Sequence, residues 1–280
     1  MKGVKYRKRK IYEKCMPWIF VLTIAVCIFG GVYLSNTFNA YGEKNTDNTF
    51  FYDGKDINNT LVSYNDNTES KEQGGKKHII AMEGLSQDYI PTGCEAVSTV
   101  AVLRYYGIGI TPEDFIEKYL PMEDFYEKNG RVYGANPSKA FAGNPYERGS
   151  LGCYCEVIEA ACVGMQESNY KGMEKLKIKA VRGNSLSQLE EYLLKGKPVI
   201  IWATIDMRES HDGFTYYLKT GEKYIWRANE HCVVLCGYDD EGYYIMDPLK
   251  DGKIVRYEKT LVETRYEELG KQAVVIERGN

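Results

Sequence analysis

The stretch Ser86-Gln87-Asp88-Tyr89-Ile90-Pro91-Thr92-Gly93-Cys94-Glu95-Ala96-Val97 most restricts how this chain can fold. A polar loop containing Pro91 runs directly into an apolar segment, and Thr92 followed three residues on by Glu95 has capping-box spacing. The spacing predicts a helix starting at Thr92. Ala96, Val97, Val100, Ala101, Leu103 and Tyr105 give that helix a broad apolar surface, and Gly107 closes it. Such a helix has to be buried, and Cys94 lies in its first turn. There the free N–H groups and the positive end of the helix dipole favour thiolate over thiol. A buried cysteine that only packs is the commoner case, so a role for Cys94 depends on what else the chain supplies.

The chain around this helix falls into four parts. Residues 1–17 form a basic tail, with Lys2, Lys5, Arg7, Lys8, Arg9, Lys10 and Lys14 against the single acid Glu13. Trp18 to Leu34 is uncharged and almost wholly apolar, just long enough at about 1.5 Å per residue to cross a roughly 30 Å hydrocarbon core. It reads as a transmembrane signal anchor rather than a cleaved leader, since Phe38-Asn39-Ala40 offers a poor cleavage site. With the basic cluster held inside, the remainder faces outward: a single-pass cell-membrane protein with a cytoplasmic N-terminus and an extracytoplasmic domain. Residues 35–76, rich in Asn, Asp, Thr, Ser and Gly, are expected to be a flexible polar linker, and residues 77–280 the folded domain.

Charge excludes one class of partner. Of 36 basic and 39 acidic residues, seven and one fall in the first 34, leaving the rest with a net charge of −9. A nucleic-acid partner does not fit that balance. Six of the eight cysteines, Cys94, Cys153, Cys155, Cys162, Cys232 and Cys236, lie in the domain without paired Cys-x-x-Cys metal spacing. If Cys94 is a free nucleophile an odd number remains, which argues against a disulfide framework.

Within the domain, His78 to Met82 is expected as an entry strand. Thr111-Pro112-Glu113-Asp114 caps a second helix, residues 122–152 read as loop, and Cys153 to Gly164 as a third helix. Ser187-Gln188-Leu189-Glu190 has capping-box spacing for a further helix. Strands are expected at Pro198 to Ile205, His231 to Tyr238, Tyr243 to Met246, Lys253 to Tyr257 and Ala273 to Ile276, with a helix near Leu261 to Leu269. The segment 206–229 reads as a mobile connection. Helices first and a hairpin-rich half afterwards make an α+β fold.

A thiolate nucleophile needs a proton-transfer partner. Of three histidines, His78 precedes the first helix and His211 lies in the 206–229 connection, whereas His231 opens a strand. With a turn near Asp240, Asp247 returns roughly opposite His231, where a carboxylate can fix the imidazole tautomer. Gln87, upstream of the helix, can add a side-chain donor to the Cys94 N–H as an oxyanion hole.

Taken together, Gln87 with Pro-Thr-Gly-Cys94-Glu, Asn229-Glu-His231-Cys-Val-Val-Leu-Cys-Gly-Tyr-Asp-Asp and Ile-Met-Asp247-Pro resemble the papain-fold bacteriocin-processing (double-glycine) peptidases, in a stand-alone, membrane-anchored form. The resemblance implies a papain-like cysteine peptidase fold, with the nucleophile helix packed on an antiparallel sheet. It implies Cys94 as nucleophile, His231 as general base and acid, Asp247 as its orienting carboxylate and Gln87 as oxyanion donor. It implies peptide or protein substrates and calls for no metal or cofactor. Two other readings stay open: a papain-fold amidase or transpeptidase acting on cell-wall peptides, and a non-catalytic peptide-binding module of the same fold.

Overall fold

A computed structural model describes Phe51, Tyr52 and residues 77–279. The basic tail, the apolar Trp18–Leu34 run and most of the 35–76 linker lie outside the described residues. Among the described residues no helix is long and apolar enough to cross a membrane.

Along the chain, strands β1 (Phe51–Tyr52) and β2 (His78–Ile79) precede helix α1 (Cys94–Tyr105) and helix α2 (Pro112–Tyr119). Four short strands follow, β3 (Met122–Glu123), β4 (Tyr126–Lys128), β5 (Arg131–Tyr133) and β6 (Phe141–Ala142), then α3 (Cys155–Glu167), β7 (Leu176–Arg182) and α4 (Leu186–Leu194). The second half holds β8 (Val199–Thr204), β9 (Asp212–Tyr217), β10 (Lys223–Arg227), β11 (Glu230–Tyr238), β12 (Gly242–Asp247) and β13 (Lys253–Glu258). Helix α5 (Lys259–Glu268) and β14 (Gln272–Arg278) complete it.

The main sheet runs β1-β13-β12-β11-β8-β14-β7, with β2 added on β11, and every pairing in it is antiparallel. The central strands β8 and β11 are buried at every position. That accounts for the unbroken apolar run from Val199 to Ala203, a pattern in which a strand covered on both faces loses its alternation. Helix α1 packs on this centre. Val97, Val100, Val102 and Leu103 have no exposed surface, and each contributes on the order of 1.5–3 kcal/mol of burial. The α+β arrangement, with the cysteine helix on an antiparallel sheet, is the one expected.

Local expectations are corrected at three helices. Helix α1 starts at Cys94 with Gly93 as its N-cap and no side-chain cap. The Thr92 hydroxyl instead donates to the Pro145 and Glu147 carbonyls at 3.1 and 3.2 Å, and Glu95 turns inward. The chain is turned into the helix by Gly93 N–H donating to Ile90 O (2.9 Å), with Ile90 packed so closely that a Cβ on Gly93 would lie 2.3 Å from it. The α4 capping box sits two residues earlier, at Ser185 and Gln188, because Ser185 has the extended cap conformation and Ser187 is already helical. Helix α3 begins at Cys155 rather than Cys153, since Cys153 is held in loop conformation by bonds to Glu95 and Trp202.

The largest correction is the 206–229 connection. Most of it is the β9–β10 hairpin, which joins β5 and β4 in a separate four-stranded sheet, β10-β9-β5-β4. Aromatic packing holds this sheet: Phe125 meets Phe214 and Tyr216 edge-on, and Trp226 stacks on Tyr154 with centroids 5.5 Å apart. Residues 122–152 likewise carry β3 and β6, paired in parallel, besides β4 and β5. Within the linker region, Phe51–Tyr52 pairs with Val255 and Ile254 at the sheet edge.

Candidate active site

The site lies where α1 meets the end of β11. Two consecutive residues of that strand, Glu230 and His231, point to opposite faces by strand alternation, and the strand end opens both to one cleft. The cleft, about 330 Å³, is lined by Gln87, Cys94, Phe214, Trp226, Glu230 and His231, among others. Asn229, with φ 63°, occupies the left-handed region that asparagine tolerates, and this turn sets the start of the strand.

On one face, His231 Nε2 lies 2.7 Å from Asp247 Oδ1, and both residues are buried. The two are diagonal rather than opposite. Val234 pairs with Met246, so one step on, Asp247 falls beside Val233, and His231 lies two residues further along the same face. Asp247 Oδ1 also accepts the Leu249 N–H at 2.9 Å, capping the turn that begins with Pro248. Burial works to raise the Asp247 pKa, but the hydrogen bond and charge of His231 outweigh it and hold the carboxyl below its ordinary value. An ionised Asp247 accepts from Nε2–H, which leaves Nδ1 of His231 as the basic nitrogen. His78 and His211 take no part: His78 Nε2 is bonded to Leu193 O, and His211 is exposed.

The cysteine lines the same cleft as His231. Cys94 Sγ accepts the backbone N–H of Cys232, the residue after His231, at 3.4 Å, so the sulfur is tied to the strand that carries the imidazole. The thiol donates to Glu95 Oε2 at 3.3 Å, and Glu95 Oε1 accepts the Cys153 N–H at 2.6 Å. Cys94, Glu95 and Glu230 each bring a ligating atom within 4.8 Å of the others, the one group among the described residues that converges in a way a metal could use. Glu230 is 8% exposed, and its Oε1 has no hydrogen-bond partner. Gly152 lies flush against the pair: a Cβ there would sit 2.5 Å from Glu95 Oε1 and 3.1 Å from Glu230 Oε2. Trp202 Nε1 donates to Cys153 O at 2.8 Å and anchors that segment on the sheet.

These contacts reverse one expectation. Burial first, then the charges of Glu95 and Glu230, push the Cys94 thiol well above its ordinary value, and the Cys232 N–H only partly offsets them. The helix terminus was expected to favour thiolate, but desolvation and two carboxylates win. Burial likewise raises both glutamates above the usual carboxylate range. Sequence reasoning did not single out Glu95 or Glu230 as site residues. The signal was present in Cys94-Glu95 and Glu230-His231, where each presumed catalytic residue has an acid beside it in sequence.

Gln87 is buried and lines the cleft. Its Nε2 donates to Pro91 O at a long 3.4 Å, and its Oε1 has no partner. The amide nitrogen carries a second hydrogen beyond the one used on Pro91. The Gln87 backbone N–H is bonded to Pro248 O at 3.2 Å, which ties the incoming loop to the turn after Asp247. All four residues singled out in the sequence are therefore gathered here: Cys94, His231 and Gln87 on the cleft, and Asp247 behind His231.

The model of the peptidase C39-like family matches residues 79–274. The chain belongs to that family. A C39-like peptidase from Bacillus anthracis is similar in structure, with a TM-score of 0.63 and 26% identity over 73% of this chain and 99% of its own. The uncharacterized protein YvpB of Bacillus subtilis (strain 168) is 26% identical over 214 residues, covering 76% of this chain and 80% of its own length. The peptidase domain of Streptococcus ComA is far more distant, at 14% identity and a TM-score of 0.42 over 71% of this chain and 100% of its own. The mixed helix and antiparallel-sheet architecture is thus the papain-like fold of C39-like peptidases, and family and fold together suggest a cysteine peptidase.

Proposed function

We propose that this chain is a membrane-anchored, outward-facing cysteine peptidase that hydrolyses peptide bonds through Cys94, His231 and Asp247. The observation that carries this reading is the His231–Asp247 pair at the end of the strand whose next N–H touches Cys94 Sγ. Cys94 rests as a thiol. His231 Nδ1 takes the thiol proton as the sulfur attacks the scissile carbonyl, and Asp247 stabilises the imidazolium that forms. The oxyanion develops against the first-turn N–H of Cys94 and the free amide hydrogen of Gln87. The imidazolium then protonates the leaving amine, and water, activated by the same imidazole, cleaves the thioester.

The outward orientation rests on the basic tail and the Trp18–Leu34 run. Two experiments test the reading. The full-length protein in membranes should cleave members of a peptide library, and Cys94→Ala should cleave none; uncleaved libraries would leave the binding-module reading in place. Protease added to intact cells should remove the domain while an N-terminal tag stays protected, and a protected domain would place the site on the cytoplasmic side.

A further inference from the structure

The peptidase mechanism uses His231, Asp247, Cys94 and Gln87 but gives Glu230 nothing to do. Glu230 is a carboxylate more than nine-tenths buried, it lines the cleft, and its Oε1 lacks any partner. A buried carboxylate in that position is costly as an anion unless a cation or donor reaches it. The groups around it add no positive side chain. Glu95, Cys94 and Cys232 face it from α1 and from its own strand, Cys153 and Tyr154 lie on the loop before α3, and His231 is adjacent. Among the described residues, none of those lining the cleft is a lysine or arginine. Trp226 and Phe214 line the same cleft, and aromatic rings are the uncharged side chains best suited to an ammonium group.

Distance narrows where a cation bound by Glu230 would lie. The Glu230 ligating atom is within 4.8 Å of Cys94 Sγ, so a group bound there lies within one residue of the carbonyl under attack. Gly152 gives this corner its room, because any side chain at that position would strike both carboxylates.

We propose that Glu230, backed by Glu95, binds a primary ammonium group of the substrate beside the scissile bond, so that the enzyme selects amine-bearing peptides. The ammonium is either the free α-amine of the residue whose carbonyl is attacked or the side-chain amine of a diamino acid next to it. Its arrival has a second effect. A positive charge beside the sulfur favours thiolate over thiol and eases transfer of the thiol proton to His231, so the correct substrate activates its own nucleophile. The selection then appears in kcat as well as in KM.

The proposal rests on the peptidase reading, and the test keeps the two apart. Peptidyl nitriles that trap Cys94 are compared on the full-length protein, in the presence of a chelator so that no metal occupies the same atoms. Four arms carry a free or acetylated N-terminus, and lysine or norleucine, at the residue bearing the nitrile. Trapping of Cys94 is followed by mass spectrometry and requires no turnover. At least one ammonium arm should react about tenfold faster or more than its neutral counterpart, and which arm does so identifies the source of the amine. Glu230→Gln should reduce that preference to within about twofold, and in the unmodified protein n-propylammonium should slow trapping while n-propanol does not. Equal rates across the arms, a preference that survives Glu230→Gln, or no competition by n-propylammonium would each overturn the proposal. Trapping with the expected preference but no hydrolysis of any peptide would instead sink the peptidase reading alone.

Discussion

Two neighbouring residues of strand β11 place carboxylates in opposite circumstances. On the His231 face, Asp247 accepts from the imidazole and from a backbone N–H, and its pKa falls although it is buried. On the Glu230 face, Glu95 and Glu230 lie together with a thiol, and both pKa values rise. Depth of burial does not separate the two faces. The difference is whether the protein itself supplies hydrogen-bond partners: Asp247 has two donors, whereas Glu230 Oε1 has none. A complete pair suits a group that must work in every turnover, while an incomplete one suits a group that waits for a ligand.

The sharpest way to break this contrast is to remove the groups themselves. Cys94→Ala and His231→Ala should each lower kcat by on the order of 10⁴–10⁶-fold in a peptide-cleavage assay, and the double variant should be no worse than either, because residues acting as one unit are not additive. Thermal stability of Cys94→Ala should stay within about 1–2 kcal/mol of the parent. A loss of about 3 kcal/mol or more would mark Cys94 as a packing residue.

Asp247→Asn should reduce kcat by on the order of 10²–10⁴-fold, less than loss of His231. The amide still accepts from the imidazole but no longer stabilises imidazolium. Activity equal to the parent would detach Asp247 from the mechanism. Gln87→Ala should cost on the order of 10²-fold in kcat with little change in KM, the usual effect of losing one oxyanion donor. A change confined to KM would make Gln87 a wall of the cleft.

The smallest effect is on stability, and it has opposite signs on the two faces. Asp247 is depressed in the folded state, so its contribution is present above its unfolded pKa and is lost as pH falls through the folded value. Glu95 and Glu230 are raised, so the folded domain keeps protons that the unfolded chain releases above about pH 4.3. Stability therefore declines as pH rises from there through their folded values. Tm measured against pH should fall on both sides. Glu230→Gln should flatten the decline on the neutral-to-alkaline side, because the amide has no proton to lose there, and leave the acid side alone. An unchanged alkaline side would mean that Glu230 is not strained by its surroundings.

The scaffold and the four gathered residues were legible in the sequence for a common reason. Apolar periodicity marks α1 and β8, and a strand that must bury both faces leaves His231 only the strand end. The chemistry of the Glu230 face was not legible. A capping box needs only a spacing, and Thr92 and Glu95 have it, but tertiary partners on the 145–153 loop claimed both side chains. The hairpin 212–227 was hidden for a related reason. Its outward positions are polar or exposed, and its stabilising rings meet others that are distant in sequence, such as Phe125 and Tyr154. Pairing over such separations leaves no local pattern to read.

The six cysteines of the domain are all buried and all free. Assembly of this domain therefore needs no oxidant and no disulfide-exchange partner, whichever compartment receives it. The consequence falls on the unfolded chain, which opens six thiols at once and closes them only when the sheet has formed. Its vulnerable interval is the time spent in transit and in heating, and reversible refolding of the purified protein should depend on added reductant far more than native activity does.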